Sequence, residues 1–289
     1  MKLQGYVGLA IILVAEVLLF SDNIIVGRWF TPIVWTGYIL LADAVLLRLS
    51  GRSLIITDRL ELVILILVSI VCWWIFEFYN APRFWRSSTE LWWHYHNLEP
   101  NPYLRRVGYD WAFATIFPAM FLTAEIFAKT IFKRLPTFSR LRLSHTALWV
   151  LMLIGAIAVI MPVVVISAWL APVIWLSFIL LLDPINYLRG LPSITGDVSD
   201  GNYRRLFALL AGGGWCGILW EFWNYWAISK WTYTVPFFGN IKIFEMPVLG
   251  YLGFPVFAVE CWVMYIFLRS LLTRRVIQIH QDEIWLRES

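Results

Sequence analysis

The chain has 289 residues, 60% of them hydrophobic and 15% charged, with a formal net charge of +4. A soluble domain is about 45–50% apolar and about 25% charged, so the composition excludes a water-soluble enzyme or binding module. The basic residues are scattered through short loops with no basic stripe, which excludes nucleic acid as a partner.

Taken in order, apolar runs near the ~20 residues needed to cross a bilayer predict spans at 5–20, 32–49, 60–80, 109–132, 147–169, 171–188, 205–228 and 246–271. Met1-Lys2-Leu3 leads straight into the first run without a small-residue cleavage site, so that run reads as a span and not a removed signal peptide. Pro162 and Pro172 predict a break inside 160–172. The expected fold is all-α and polytopic, with about eight transmembrane helices.

The segments 48–59, 133–145 and 189–205 and the tail after span 8 hold most of the loop arginines and lysines, Arg48, Arg52, Arg59, Lys133, Arg134, Arg140, Arg142, Arg189, Arg204, Arg205, Arg269, Arg274 and Arg275. Eight spans put all four segments on the side of the amino terminus. The positive-inside rule makes that side cytoplasmic, as in a bacterial-type inner membrane. Loops 81–108 and 229–245 then face outward, although 81–108 also carries Arg83, Arg86, Arg105 and Arg106.

The sequence repeats itself. Trp35–Asp43 reads WTGYILLAD and Trp175–Asp183 reads WLSFILLLD, 140 residues on. Phe76–Asn80 reads FEFYN and Trp220–Asn224 reads WEFWN, 144 residues on. A W-x-Y follows each, at Trp93–Tyr95 and Trp231–Tyr233. These matches predict two tandem four-helix repeats, 1–140 and 141–275, with 276–289 a cytoplasmic tail. Each copy has an even number of spans, so the copies run parallel and the interior lies between them.

A carboxylate inside a span costs on the order of 2.5–3.5 kcal/mol at the helix centre, so it faces protein or water and marks a candidate site. The paired acids are Asp43/Asp183, Glu77/Glu221, Asp110/Glu245 and Glu125/Glu260, with Glu16 unmatched. Asn80 and Asn224 stand three residues after Glu77 and Glu221, on the same helix face. The strip Gly213, Gly217, Glu221, Asn224 predicts close packing that draws Glu221 away from lipid. Asp110, Glu125, Glu245 and Glu260 are expected to extend a polar track inward from the outer face. Trp73, Trp74, Trp93, Tyr95, Trp220, Trp223, Trp231 and Tyr233 are the candidate substrate-binding rings, with Phe76, Phe78, Phe222 and Trp226 beside them.

A carboxyl in an apolar pocket suits a general acid, and aromatic faces attract a developing cation. The candidate catalytic set is therefore Glu77, Asn80, Asp110, Glu125, Glu221, Asn224, Glu245 and Glu260, with Asp43 and Asp183 as further intramembrane acids. The same residues also suit a packing role, protonated or paired. His94-x-His96 is too few ligands for a metal site, and Cys72, Cys216 and Cys261 read as packing residues. Neither metal nor cofactor is expected. P-loop, GxGxxG, HExxH and GxSxG motifs are absent.

Trp231-x-Tyr233 followed by Gly250-Tyr-Leu-Gly253-Phe-Pro255-Val-Phe-Ala-Val-Glu260 resembles the integral-membrane lycopene cyclases of the fused or heterodimeric type. The family's P-x-E-E is not reproduced, since Pro255 lies five residues before Glu260 and Pro118 seven before Glu125. The resemblance implies cofactor-free, acid-catalysed ring closure of an isoprenoid. Three functions stay open on the residues alone: a cyclase- or isomerase-like enzyme acting on a lipid, a non-catalytic subunit of a membrane complex, and an ion-coupled small-molecule transporter. Membrane lipids or a lipid-like substrate are the expected partners, with homo- or hetero-oligomerisation left open.

Overall fold

A computed structural model of the chain describes residues 2–81, 90–236, 238–272, 279–280 and 282–286. Eight helical spans among these are long and apolar enough to cross a membrane, so the fold is an all-α polytopic one. Arg83, Arg86, Arg274 and Arg275, used above to orient the chain, lie outside the described residues.

The helices are α1 (Leu3–Phe20), α2 (Ile24–Ser50), α3 (Arg59–Asn80), α4 (Pro102–Lys129), α5 (His145–Val164), α6 (Ala171–Leu188), the short α7 (Ile194–Ser199), α8 (Arg204–Trp226) and α9 (Gly253–Leu272). Their starts follow local chemistry. The Asn23 side chain accepts from Val26 N, Asn101 from Tyr103 N and Leu104 N, and Ser144 from Ala147 N. Each satisfies donors that the first helical turn leaves open. Gly51, at φ 73°, ends α2 in the left-handed conformation a glycine adopts freely. Pro162 is accommodated within α5; the break falls just after it, at Val164, and a 3₁₀ turn over Ala168–Leu170 leads into α6. α2 begins eight residues and α4 seven residues before the predicted spans, because polar Arg28 and Arg105 hide their opening turns from a hydropathy reading.

Helix neighbours match in the two halves. α1 packs on α2 and α5 on α6; α3 packs on α4 and α8 on α9; α2 packs on α4 and α6 on α9. Small residues permit the closest approaches. A Cβ on Gly8 would meet Gly37 O and Leu41 N, and one on Gly155 would meet Leu181 N. Gly213 and Gly217 both face Phe254 of α9. Gly155→Leu should therefore push α5 off α6. We expect a loss of about 2 kcal/mol or more from overpacking, measured as a lower midpoint of thermal aggregation in detergent, whereas Gly190→Ala should change little beyond the strain of its positive φ.

The halves join at several places. α4 lies against α8. Trp35 of α2 stacks on Trp220 of α8 at 5.1 Å, and Trp175 of α6 on Phe76 of α3 at 5.3 Å. Finally, β1 (Trp93–His96) and β2 (Lys230–Tyr233) form an antiparallel ribbon at the end away from the amino terminus, Trp93 opposite Tyr233 and Tyr95 opposite Trp231. A second small ribbon, β3 (Lys242–Ile243) with β4 (Met246–Pro247), precedes α9.

The described tail residues are not a free extension. Ile284 and Trp285 are fully buried at the end opposite the ribbon. Ile284 N donates to Glu125, Trp262 Nε1 donates to Ile284 O, and Trp285 Nε1 donates to Asp58. Arg52 donates to Trp285 O and lies 4.6 Å from its ring, while Arg205 donates to Glu283 O and His280 O. The tail thus wedges among α3, α4, α8 and α9.

Candidate functional site

The two Glu-x-x-Asn pairs end α3 and α8, and each grips its own W-x-Y strand. Asn80 Oδ1 accepts from Trp92 N and Trp93 N, and its Nδ2 donates to Trp93 O. Asn224 does the same for Trp231, accepting from its N–H at 2.9 Å and donating to its carbonyl at 2.8 Å. One turn earlier, Glu77 Oε1 accepts from Trp73 Nε1 at 3.1 Å, Trp93 Nε1 at 3.0 Å and Tyr95 OH at 2.5 Å. Glu221 Oε1 accepts from Tyr233 OH at 2.6 Å, and Trp231 Nε1 donates to that hydroxyl at 2.5 Å. The amide thus fixes the strand's backbone and the acid its side chains. Burial and the adjoining carboxyl hold the Tyr95 and Tyr233 hydroxyls well above their usual pKa, so both stay protonated at neutral pH.

Beneath the ribbon lies a cavity of about 540 Å³ between the halves, within the size range of small-molecule sites. Six of the expected rings line it: Trp73, Trp93, Tyr95, Trp220, Trp231 and Tyr233. Phe113, Trp175 and Phe257 are among its further lining rings, and Pro32 and Pro172, at matching positions of α2 and α6, both face it. Trp175 stands in the sequence as part of the repeat, and Phe113 and Phe257 carry no adjacent polar residue that would mark them; their own 144-residue offset, the same as that of Glu77 and Glu221, is the signal the sequence holds. Glu77 and Glu221 stand behind the tyrosines and are not themselves lining residues.

The other expected residues lie elsewhere. Trp74 bonds to Asp110 at 2.7 Å and carries Arg106 4.0 Å over its ring, outside the cavity wall. Trp223 donates to Glu16 and packs on Trp35. Glu245 sits in the β3–β4 turn, bonded to Lys230 Nζ at 2.6 Å. Glu125 is at the opposite end of the bundle, 2.9 Å from Arg52. Glu260 is buried within α9; its Oε1 accepts from Phe178 N, and its Oε2 has no partner among the described residues. The single polar track expected from the outer face is therefore replaced by separate clusters, because a 15-residue spacing reaches different depths in α4 and α9. Asp43 and Asp183 tie down the chain that follows their helices: Asp43 accepts from Ser53 Oγ and Leu54 N, and Asp183 from Ile194 N and Thr195. His94 and His96 bond across the ribbon to Thr234 and Thr232 at 2.7 and 2.8 Å.

Compared with protein-family models, curated proteins and solved structures, the chain has no match.

Proposed function

We propose that the chain is a membrane enzyme that binds a lipid-like molecule of isoprenoid type in the aromatic cavity and rearranges it by acid–base chemistry without a cofactor. One observation carries this reading: two phenol–carboxyl pairs, Tyr95–Glu77 and Tyr233–Glu221, meet the cavity from opposite strands of one ribbon. When the tyrosine hydroxyl turns its proton from the carboxyl to the cavity, it can give that proton to a substrate double bond while taking the carboxyl proton of its glutamate onto the phenol oxygen. The resulting cation is met by indole faces. A proton lost to the other pair gives an isomer or ring form of unchanged mass, and proton exchange with water returns the two glutamates to their starting states. The likeness of 231–260 to membrane lycopene cyclases supports the same chemistry. By the positive-inside rule, the amino-terminal end is cytoplasmic and the cavity opens in the outer half of the bilayer.

The test is expression in cells that make linear isoprenoids, read by lipid mass spectrometry and chromatography. The chain should yield a product of substrate mass and altered retention. Glu77→Gln with Glu221→Gln keeps the acceptors that hold the ribbon but removes the acid, and should lower product on the order of 100-fold. Unaltered lipid profiles across a broad panel would sink the proposal.

The clamp favours a second reading, a non-catalytic subunit of a membrane complex. Two of the donors to Glu77, Trp93 Nε1 and Tyr95 OH, and the Asn80 side-chain bonds to Trp92 and Trp93 tie the ribbon to the bundle. Co-purification of a stoichiometric second chain in mild detergent would select it.

A further inference from the structure

The cavity is apolar along most of its wall but not at one corner. Arg28 and Thr31 lie one turn apart on α2, a spacing that puts both on one face, and both line the cavity. Arg28 Nε and Thr31 Oγ1 are shielded from solvent and have no hydrogen-bond partner among the described residues. Buried polar atoms are nearly always paired, so two orphans on one face of one cavity point to a group that would occupy the space between them. Arg105, at the start of α4, lines the same cavity. Its Nε and Nη2 donate to the carbonyls of Glu99 and Pro100 at 2.8 and 3.1 Å. The acid at this corner, Glu99, lies 3.9 Å from Arg28 Nη1, too far for a hydrogen bond. Among the described residues Arg28 therefore faces a single carboxylate at ion-pair distance, one that also accepts from Asn101 N, and the bonds of Arg105 go to backbone carbonyls.

We propose that the cavity takes an amphiphile with an anionic, phosphate-type head, the head at Arg28, Thr31 and Arg105 and the apolar chain along the rings. This rests on the reading that the cavity binds a lipid-like molecule, and adds the head group. Guanidinium presents a planar fork of donors that matches phosphate oxygens, and the Thr31 hydroxyl supplies a further donor. The first three turns of α2 and the first turn of α4 hold these groups toward the end of the bundle, the depth at which a lipid head group lies when its chain runs into the apolar layer. A free phosphate would use the same donors but leave the aromatic wall uncovered. For that reason the proposal commits to a head with a chain.

The full chain in nanodiscs of neutral lipid would be titrated with farnesyl phosphate, farnesol and inorganic phosphate. The readouts are tryptophan emission, since the wall carries Trp73, Trp93, Trp175, Trp220 and Trp231, and the thermal midpoint. Farnesyl phosphate should act at concentrations at least about tenfold below farnesol. Arg28→Met should erase that preference while leaving the farnesol response in place, and Thr31→Val should reduce it by a smaller factor. Equal responses to farnesol and farnesyl phosphate overturn the head-group site and leave the cavity reading standing. A response to inorganic phosphate equal to that of farnesyl phosphate overturns the amphiphile. Silence to all three overturns both the inference and the reading beneath it.

Discussion

Arg52→Met should destabilise the protein by about 3–5 kcal/mol, the usual effect of removing one partner from a buried ion cluster. Arg52 is 4% exposed and faces three acids: Glu125 at 2.9 Å, Glu283 at 3.5 Å and Asp58 at 3.6 Å. Lys129, 3.8 Å from Glu125, is a weaker counterweight. Without the guanidinium, carboxylates at 0–6% exposure must protonate or draw in water. The Trp285 carbonyl also loses its donor, and the ring its cation. The measurement is a thermal melt in detergent followed by tryptophan emission, with limited proteolysis of the tail as the second readout. Glu125→Gln in the Arg52→Met background should recover part of the loss. No recovery, with the tail still protected, would mean that charge is not what seats it.

Asn80→Ala is expected to cost about 3 kcal/mol or more. Asn80 is fully buried, and its removal orphans Trp92 N, Trp93 N and the Trp93 carbonyl; each buried orphan costs about 1–3 kcal/mol before relaxation. The effect should be local. Amide exchange at 92–96 and at the paired 230–233 should accelerate together, while α1 and α5 keep their protection. Asn224→Ala should produce the same pattern with a smaller loss, since the Asn224 side chain makes two bonds to its strand and the Asn80 side chain three. Asn80→Asp keeps the acceptor but loses the donor to Trp93 O, and should fall between.

These two positions show what sequence could and could not reveal. Asn80 was legible because its chemistry is local: three residues after Glu77 on one helix face, thirteen before Trp93, repeated at Asn224. Apolar length alone disclosed the eight spans, as the bilayer fixes that length. Arg52 read only as a topology charge, because nothing near it in sequence names Glu125 or Glu283 as its partner. The tail was unreadable for the same reason. Ile284-Trp285-Leu286 is too short to show a period, and its burial depends on a pocket assembled from four distant helices. The acidic pairs misled through depth. Glu260 falls seven residues into α9 and Glu245 eight before it begins, whereas Asp110 and Glu125 both lie within α4. Equal spacing there does not mean equal height in the membrane.

The ribbon and the tail also bear on motion. Strand pairing joins the halves at one end, and at the other the residues 282–286 are bonded to both: to Asp58 and Glu125 of the first, to Arg205 and Trp262 of the second. Rocking about the middle, to open first one side and then the other, would work against both attachments. A carrier cycle of that kind would have to unzip the ribbon or expel the tail at every turnover.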